Sequence, residues 1–291
     1  MNSSAERISG DEAVSRLLCS EFSRLFKNRL FWLGELFMAG LATFAVINVY
    51  RDNIKFQDYY EYAEELLFDD GFFIFFVIAV FVSIFIGTEY SDGTMRNKLV
   101  TGHSRISIYF SNLIVCTVFS FIMKISYMAL ILALGIPMLG ISGGDITAYI
   151  IRTLVSFAAL IAITSIILLV SMLIQSKSAG SVTALILTLV CICAATYFHS
   201  ILQQPEYYDA YVYLDENDVM HNMPSEPNPN YISGTKRTIY QFIDDAFPYS
   251  QLFFIDITDI EKINIYPLYS IAIAALTTGC GVLVFRKKNL R

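Results

Sequence analysis

Six long apolar segments constrain the fold of this 291-residue chain more than any other feature. A helix of about 20 apolar residues crosses the roughly 30 Å hydrocarbon core of a bilayer, and each segment approaches or exceeds that length. The segments lie at residues 30–50, 71–88, 107–135, 149–174, 179–199 and 265–285. The third is longer than a perpendicular crossing requires, so we expect it to tilt or to project from the membrane. The pattern predicts an all-α integral membrane protein with six transmembrane helices in a single transmembrane domain, residues 1–291.

Composition supports this prediction and argues against an enzyme. The chain is 55% hydrophobic and only 16% charged, with a mean hydropathy of +0.55. No two of its three histidines have the spacing of metal ligands, and no cysteine lies in a long polar loop. The phosphate-binding pattern Gly-x-x-x-x-Gly-Lys-Ser/Thr is absent from the sequence. We therefore predict no catalytic, cofactor or metal site in this chain, and no nucleic-acid partner.

The distribution of Lys and Arg predicts the orientation, because basic residues concentrate in cytoplasmic loops. With the N-terminus inside, thirteen Lys and Arg residues fall on the cytoplasmic side and five in the outer loops. Acidic residues crowd the outer loops. Both termini are therefore predicted to be cytoplasmic, in a multi-pass protein of a cell membrane that we expect to be a bacterial plasma membrane.

A short amphipathic helix is predicted just before the first span, over residues 16–29. Leu18, Phe22 and Leu25 form an apolar stripe, whereas Glu21 lies elsewhere on the helical wheel. A cationic helix of this kind typically lies in the membrane interface as an elbow before the span. A solvated helical extension is the alternative.

Two outer loops carry further predicted structure. In the first, Leu66 and Leu67 belong to a helical pattern that predicts a short surface helix ahead of the second span. The second is a large extracellular loop, residues 200–264, whose first half is polar and predicted to be irregular. Residues 238–257 are too apolar for a free loop and too short to span, so they are predicted to form re-entrant helices or a helical cap.

A polar stretch at residues 89–105 separates the second and third spans and is longer than a simple turn requires. Gly93 permits a tight or left-handed turn, and Thr94 can cap a following helix. Met95 and Leu99 would form an apolar edge with a spacing of four residues. From the residues alone, both a polar turn with stop-transfer charges and a docking segment stay open.

The chain resembles the permease subunits of type 2 ABC transporters, which are mostly exporters. The resemblance rests on the six spans, the preceding interfacial helix and the large outer loop before the sixth span. It also rests on Glu-x-x-x-Gly-Thr at residues 89–94, followed by a basic segment and by Gly-His-Ser-Arg at residues 102–105.

This resemblance implies that the polar stretch forms a coupling helix that docks on a separate cytoplasmic ABC ATPase. The implied coupling residues are Glu89, Gly93, Thr94, Met95, Arg96, Lys98, Leu99 and Arg105. It further implies two ATPase subunits that bind ATP and Mg, and a second copy of this chain or a related permease. We expect a hydrophobic or amphipathic substrate, such as a peptide, drug or lipid, and contacts with membrane lipids.

Three charged residues fall within or near the spans. Lys124 lies near the middle of the third span, where a lysine costs about 2.5–3.5 kcal/mol to insert. It should therefore face a cavity, a subunit interface or polar partners, and our hypothesis is that it lines the translocation path or the subunit interface. Glu35 is expected to snorkel, some 20 Å from Lys124 along the membrane normal at about 1.5 Å per residue. Arg152 is expected to be structural, at the outer interface.

Two other classes of function compete with transport. An intramembrane enzyme is disfavoured, because Glu64 and Glu65 lie outside the predicted spans and lack matching histidines. A membrane-embedded sensor or scaffold that uses the large acidic outer loop is the alternative to a transporter.

Overall fold

A computed structural model describes residues 10–56, 60–214 and 220–288. Six of its helical segments are long and apolar enough to cross a membrane, which confirms the predicted number of spans. They comprise α2 (Arg29–Lys55), α3 (Gly71–Ser91), α5 (Arg105–Leu130) with its continuation to Leu139, α7 (Ile146–Ile174), α8 (Lys177–Leu202) and α12 (Tyr266–Lys287). The chain is therefore a multi-pass membrane protein.

The third span is the longest, as expected. Its helix runs from Arg105 through a π-helical turn, Ile131–Gly135, into α6 (Ile136–Leu139). These 35 residues correspond to about 52 Å of helix, well beyond the roughly 30 Å of a hydrocarbon core. At the π turn Gly135 packs against Ala63, and a Cβ there would lie 2.9 Å from the Ala63 Cβ.

The helix before the first span is α1 (Gly10–Lys27), which begins earlier than predicted. Asn28 ends it and caps α2, because its side-chain oxygen accepts a hydrogen bond from Leu30 N at 2.9 Å. Leu25 is buried against the bundle, but so is Glu21, which the wheel had placed away from the apolar stripe. Glu21 is buried although it lies off the apolar stripe, because its carboxylate has basic partners inside the protein.

The bundle is organised around α3 and α7, which are the most enclosed spans. Helix α3 packs against α7 and α8, α12 packs against α7, and α1 and α2 pack against α5. We call the two ends of the bundle the Glu89 end and the Asp70 end, after residues at opposite ends of α3.

The segment after α2 differs from the predicted surface helix. Residues Ala63–Phe68 form a 3₁₀ helix, and every residue of it except Glu65 is buried. This turn is enclosed because the projecting part of the third span and the segment after α6 pack over it, with Ala63 N donating to Gly140 O at 3.3 Å.

The large loop before the sixth span contains strands as well as helices. Strands β1 (Tyr207–Tyr208) and β4 (Glu226–Pro227) pair antiparallel, as do β2 (Tyr211–Leu214) and β3 (Met220–Met223). The prediction of an irregular first half was wrong, since backbone pairing satisfies these polar segments.

The second half of this loop forms α9 (Gly234–Ala246), α10 (Pro248–Phe253) and α11 (Ile260–Ile263). Helix α9 buries no side chain, whereas Tyr249 of α10 is fully buried against Phe75 of α3. Gln251 accepts a hydrogen bond from Ser270 of α12 at 2.5 Å. Thus α10 is wedged into the Asp70 end of the bundle, and α9 lies outside it.

The contact between α3 and α8 gives a testable prediction. A Cβ on Gly87 would lie 2.6 Å from the Lys177 Cα, so Gly87→Ala must push the two backbones apart. We expect a loss of about 1–3 kcal/mol, measured as a lower thermal unfolding midpoint of the purified chain. Gly40→Ala is the matched control, because a Cβ there meets no atom within 4 Å and alanine favours the helix, so the midpoint should not fall. A Gly87→Ala midpoint that is no lower than that of Gly40→Ala would contradict the close packing.

Candidate functional site

The polar stretch after the second span folds into a tight turn and a short helix. Helix α3 ends at Ser91, Gly93 adopts a left-handed conformation with φ of 68°, and α4 runs from Thr94 to Val100. The left-handed turn at Gly93 was expected. The cap at Thr94 differs, because its hydroxyl donates to the carbonyl of Glu89 at 3.2 Å and so bonds back to the preceding helix.

Glu89 is the centre of the site. Its side chain is buried, with 1% of the residue exposed. Oε1 accepts a hydrogen bond from Lys98 Nζ of α4 at 2.6 Å and also pairs with the guanidinium of Arg24 in α1. Oε2 accepts from Asn112 Nδ2 of α5 at 3.2 Å. One carboxylate therefore joins α1, α3, α4 and α5.

A second carboxylate balances the charge. Glu21 pairs with Lys98 and, at 3.0 Å, with Arg24 Nη2. The Arg24 guanidinium also lies 3.7 Å from the centre of the Phe85 ring. We call Glu21, Arg24, Glu89, Lys98 and Asn112 the Glu89 cluster; it holds two carboxylates and two cations, so its side chains are neutral in sum.

Burial raises the pKa of Glu21, and the neighbouring Glu89 carboxylate raises it further. The ionised form of Glu21 therefore depends on its two basic partners. The sequence contained no local signal for Glu21, Arg24 or Asn112, because these residues meet Glu89 only through the packing of three other helices.

The outward face of α4 differs from the predicted one. Met95 is 1% exposed and packs into the core, and Leu99 is half-buried against it. The exposed side chains are Arg96, Asn97 and Val100, and Val100 is 79% exposed. Met95 is therefore not available to a partner protein in this packing, and the exposed apolar side chain of α4 is Val100.

Arg105, at the start of α5, forms hydrogen bonds with the end of α12. Its guanidinium donates to the carbonyls of Phe285 at 2.8 Å and Lys288 at 2.5 Å, at the end of α12. The Lys288 ammonium in turn contacts Met172 O of α7 at 3.4 Å. Arg105 thus holds the third, fourth and sixth spans together at the Glu89 end.

Lys124 is fully enclosed and pairs with Asp70 at the start of α3. Its ammonium also contacts Leu67 O at 3.3 Å, and the Tyr127 hydroxyl donates to Leu66 O at 3.1 Å. Lys124 was expected to face a cavity, a subunit interface or polar partners, and the structure shows polar partners. This burial does not support the hypothesis that Lys124 lines the translocation path or the subunit interface.

The two remaining charged residues also have defined places. Glu35 is half-buried beside Ser126 of α5, and Gly34 packs against Met123. The expected 20 Å offset between Glu35 and Lys124 was wrong, because α2 starts opposite the middle of α5. Arg152 bonds Asp256 Oδ1 at 3.3 Å and the carbonyl of Thr258 at 3.5 Å, in agreement with a structural role.

Among the described residues, no group of three or more His, Cys, Asp or Glu side chains is placed to hold a metal ion. A family model described as "ABC-2 family transporter protein" matches residues 17–195. These residues include α2, α3, α4, α5 and α7, together with Glu21 and Arg24. No curated protein matches the chain.

The Glu89 cluster predicts a large effect for Glu89→Gln. The change leaves two cations facing one carboxylate, so the free energy of unfolding should fall by about 2–4 kcal/mol. This loss is smaller than that expected on breaking a fully enclosed ion pair, because Arg24 is partly exposed. Thermal unfolding of the purified chain measures this loss. Asp92→Asn is the control, since Asp92 is exposed in the same turn. Equal midpoints for the two variants would show that Glu89 does not hold the four helices.

Because Lys124 and Asp70 form an enclosed pair, substitutions at the two residues should have non-additive effects on the free energy of unfolding. Lys124→Met leaves a buried carboxylate without its cation, so we expect a loss of about 3–5 kcal/mol. The double variant Lys124→Met/Asp70→Asn removes both charges and should be more stable than Lys124→Met alone. Lys27→Met, at an exposed lysine, is the control. If the double variant loses as much free energy of unfolding as Lys124→Met and Asp70→Asn lose together when measured singly, a direct pair is excluded.

Proposed function

The chain belongs to the ABC-2 family of transporter proteins, as a permease subunit of an ABC transporter, and we propose that α4 couples it to a separate ATPase that powers export. Both chain termini and α4 would face the cytoplasm, in agreement with the excess of basic residues on that side. ATP and Mg would be bound by two ATPase subunits, and a second copy of this chain or a related permease would complete the transport path.

The proposal rests on the orientation of α4, which has one exposed face and one face held against the protein. Arg96, Asn97 and Val100 point away from the protein, while Met95 and Lys98 anchor the same helix from its inner side. A short helix with one anchored face and one free face suits docking into a groove on a partner. Arg96 would pair with an acidic group there, and Val100 would fill an apolar pocket.

The Glu89 cluster would transmit a displacement of α4 to the rest of the protein. A displacement of α4 moves Lys98, and Lys98 is bonded to Glu89 of α3 and paired with Glu21 of α1. Since a buried charge cannot separate from its counter-ion without a large energetic cost, α1 and α3 would move with α4 as one unit. The interfacial helix α1 and the second span would thereby follow the ATPase.

The substrate class expected from the sequence is a hydrophobic or amphipathic molecule. Large apolar side chains are exposed along α2, α8 and α12, including Leu36, Phe44 and Leu283. In a bilayer these surfaces would contact lipid or a second permease, and an apolar substrate would reach the transport path from the same surroundings.

Val100→Asp tests the docking of α4. The change places a charge on the exposed apolar contact without disturbing the core, so we expect insertion and thermal stability to be retained. Recovery of the ATPase with the tagged permease should fall about fivefold to tenfold, as for a central interface residue. The measurement is quantitative pull-down from membranes, followed by detection of the chain that carries a P-loop.

Val212→Asp is the matched control, because it makes the same change at an exposed valine in β2, in the loop before the sixth span. ATPase recovery with this variant should equal that with the unmodified chain. Undiminished recovery with Val100→Asp would show that α4 is not the docking surface.

A further inference from the structure

A cleft at the Asp70 end of the bundle combines an apolar wall with one buried carboxylate. It has a volume of about 450 Å³ and lies between α5, α7, the 3₁₀ helix and the segment that joins α6 to α7. Among its lining residues Glu64 alone is charged. The large apolar side chains of its wall include Leu67, Met128, Leu132, Tyr149, Ile150 and Leu154.

Glu64 is a buried carboxylate that no basic side chain of the described residues neutralises. The residue is 5% exposed, and its Oε1 accepts hydrogen bonds from the backbone N and the hydroxyl of Ser142, at 2.7 and 2.5 Å. Its Oε2 is buried and accepts no well-formed hydrogen bond in the described part of the chain, although the backbone N–H groups of Glu64 itself and of Gly143 also stabilise the carboxylate. No cation of the described residues forms an ion pair with Glu64, in contrast to Glu89 and Asp70. A buried carboxylate without a counter-ion favours the entry of a cation.

The rim of the cleft is apolar and open. Ile146, Ile150 and Leu154 of α7 are 74%, 54% and 61% exposed, and they line both the cleft and the outer surface of α7. A small inorganic cation would gain nothing from such a rim, because it prefers oxygen ligands. A molecule with a cationic head and an apolar tail would satisfy the carboxylate and cover these side chains together.

We propose that this cleft binds the ammonium head of a cationic amphiphile at Glu64, with the apolar tail against α5 and α7. The head donates a charge-assisted hydrogen bond to Glu64 Oε2, and the tail removes Ile150 and Leu154 from the surrounding solvent or lipid. The site lies at the end of the bundle opposite α4, and binding to it does not require the ATPase. The proposal can therefore fail while the coupling role of α4 holds, and the reverse is also possible.

Photo-crosslinking with two matched probes tests the site. Octylamine and octanol, each with a diazirine at the tail end, are added to the full chain in liposomes and irradiated. Labelled peptides are then quantified by mass spectrometry. We expect octylamine to label peptides within residues 128–154, and Glu64→Gln to lower this labelling at least about tenfold, as expected for loss of a charged hydrogen-bond partner. Labelling by octanol should be weak and unchanged by the substitution.

Two controls keep the result interpretable. Glu65→Gln makes the same change at the adjacent exposed residue and should leave octylamine labelling unchanged. Octanol labelling and thermal unfolding of Glu64→Gln report whether the cleft is intact, because glutamine retains an oxygen that accepts from Ser142. Octylamine labelling in this region that survives Glu64→Gln, or that octanol equals, would overturn the proposal and show a lipid-filled apolar cleft instead.

Discussion

The arrangement of the Glu89 end depends on one carboxylate that is removed from water. Ionised Glu89 is tolerable there only because Arg24, Lys98 and Asn112 surround it, and each comes from a different helix. The requirement to satisfy one charge therefore fixes the position of α1 and α4 relative to α3 and α5. In a bundle whose other contacts are mainly apolar, this polar cluster specifies a register that apolar packing alone would leave less defined.

The Asp70 end of the bundle also contains a buried carboxylate that pairs with a basic side chain of another helix. Asp70 and Lys124 form an enclosed pair, and the 3₁₀ helix before α3 is held by the carbonyl contacts of Lys124 and Tyr127. The polar groups of α3 are thus paired near both ends of the helix, and the apolar segment between them packs against α7 and α8. Glu64 differs from these residues, since no basic side chain of the described residues pairs with it, and we therefore propose it as a binding group for a cation.

The sequence predicts the spans and the site to different degrees. The spans follow from apolar length alone, and Gly93 marks the turn because a left-handed residue favours glycine. The inward direction of Met95 could not be predicted, because the seven residues of α4 have no periodicity long enough to distinguish lipid, core and partner. The burial of Glu21 could not be predicted either, because its basic partner Lys98 lies on another helix. Likewise, nothing local to Lys124 indicates Asp70, which lies 54 residues away in sequence. Pairings between helices depend on packing, and a single sequence does not encode them in a readable pattern.

Helix α4 is the surface at which we propose that a separate ATPase contacts this permease. The most direct measurement replaces exposed Asn97 with a photo-crosslinking amino acid in the full chain, expressed in its native host. We expect a crosslinked partner whose mass-spectrometric sequence contains a P-loop, and no such product from the same amino acid at Val212. Absence of that partner at Asn97, with the P-loop chain captured from Val212 instead, would show that α4 is not the ATPase contact.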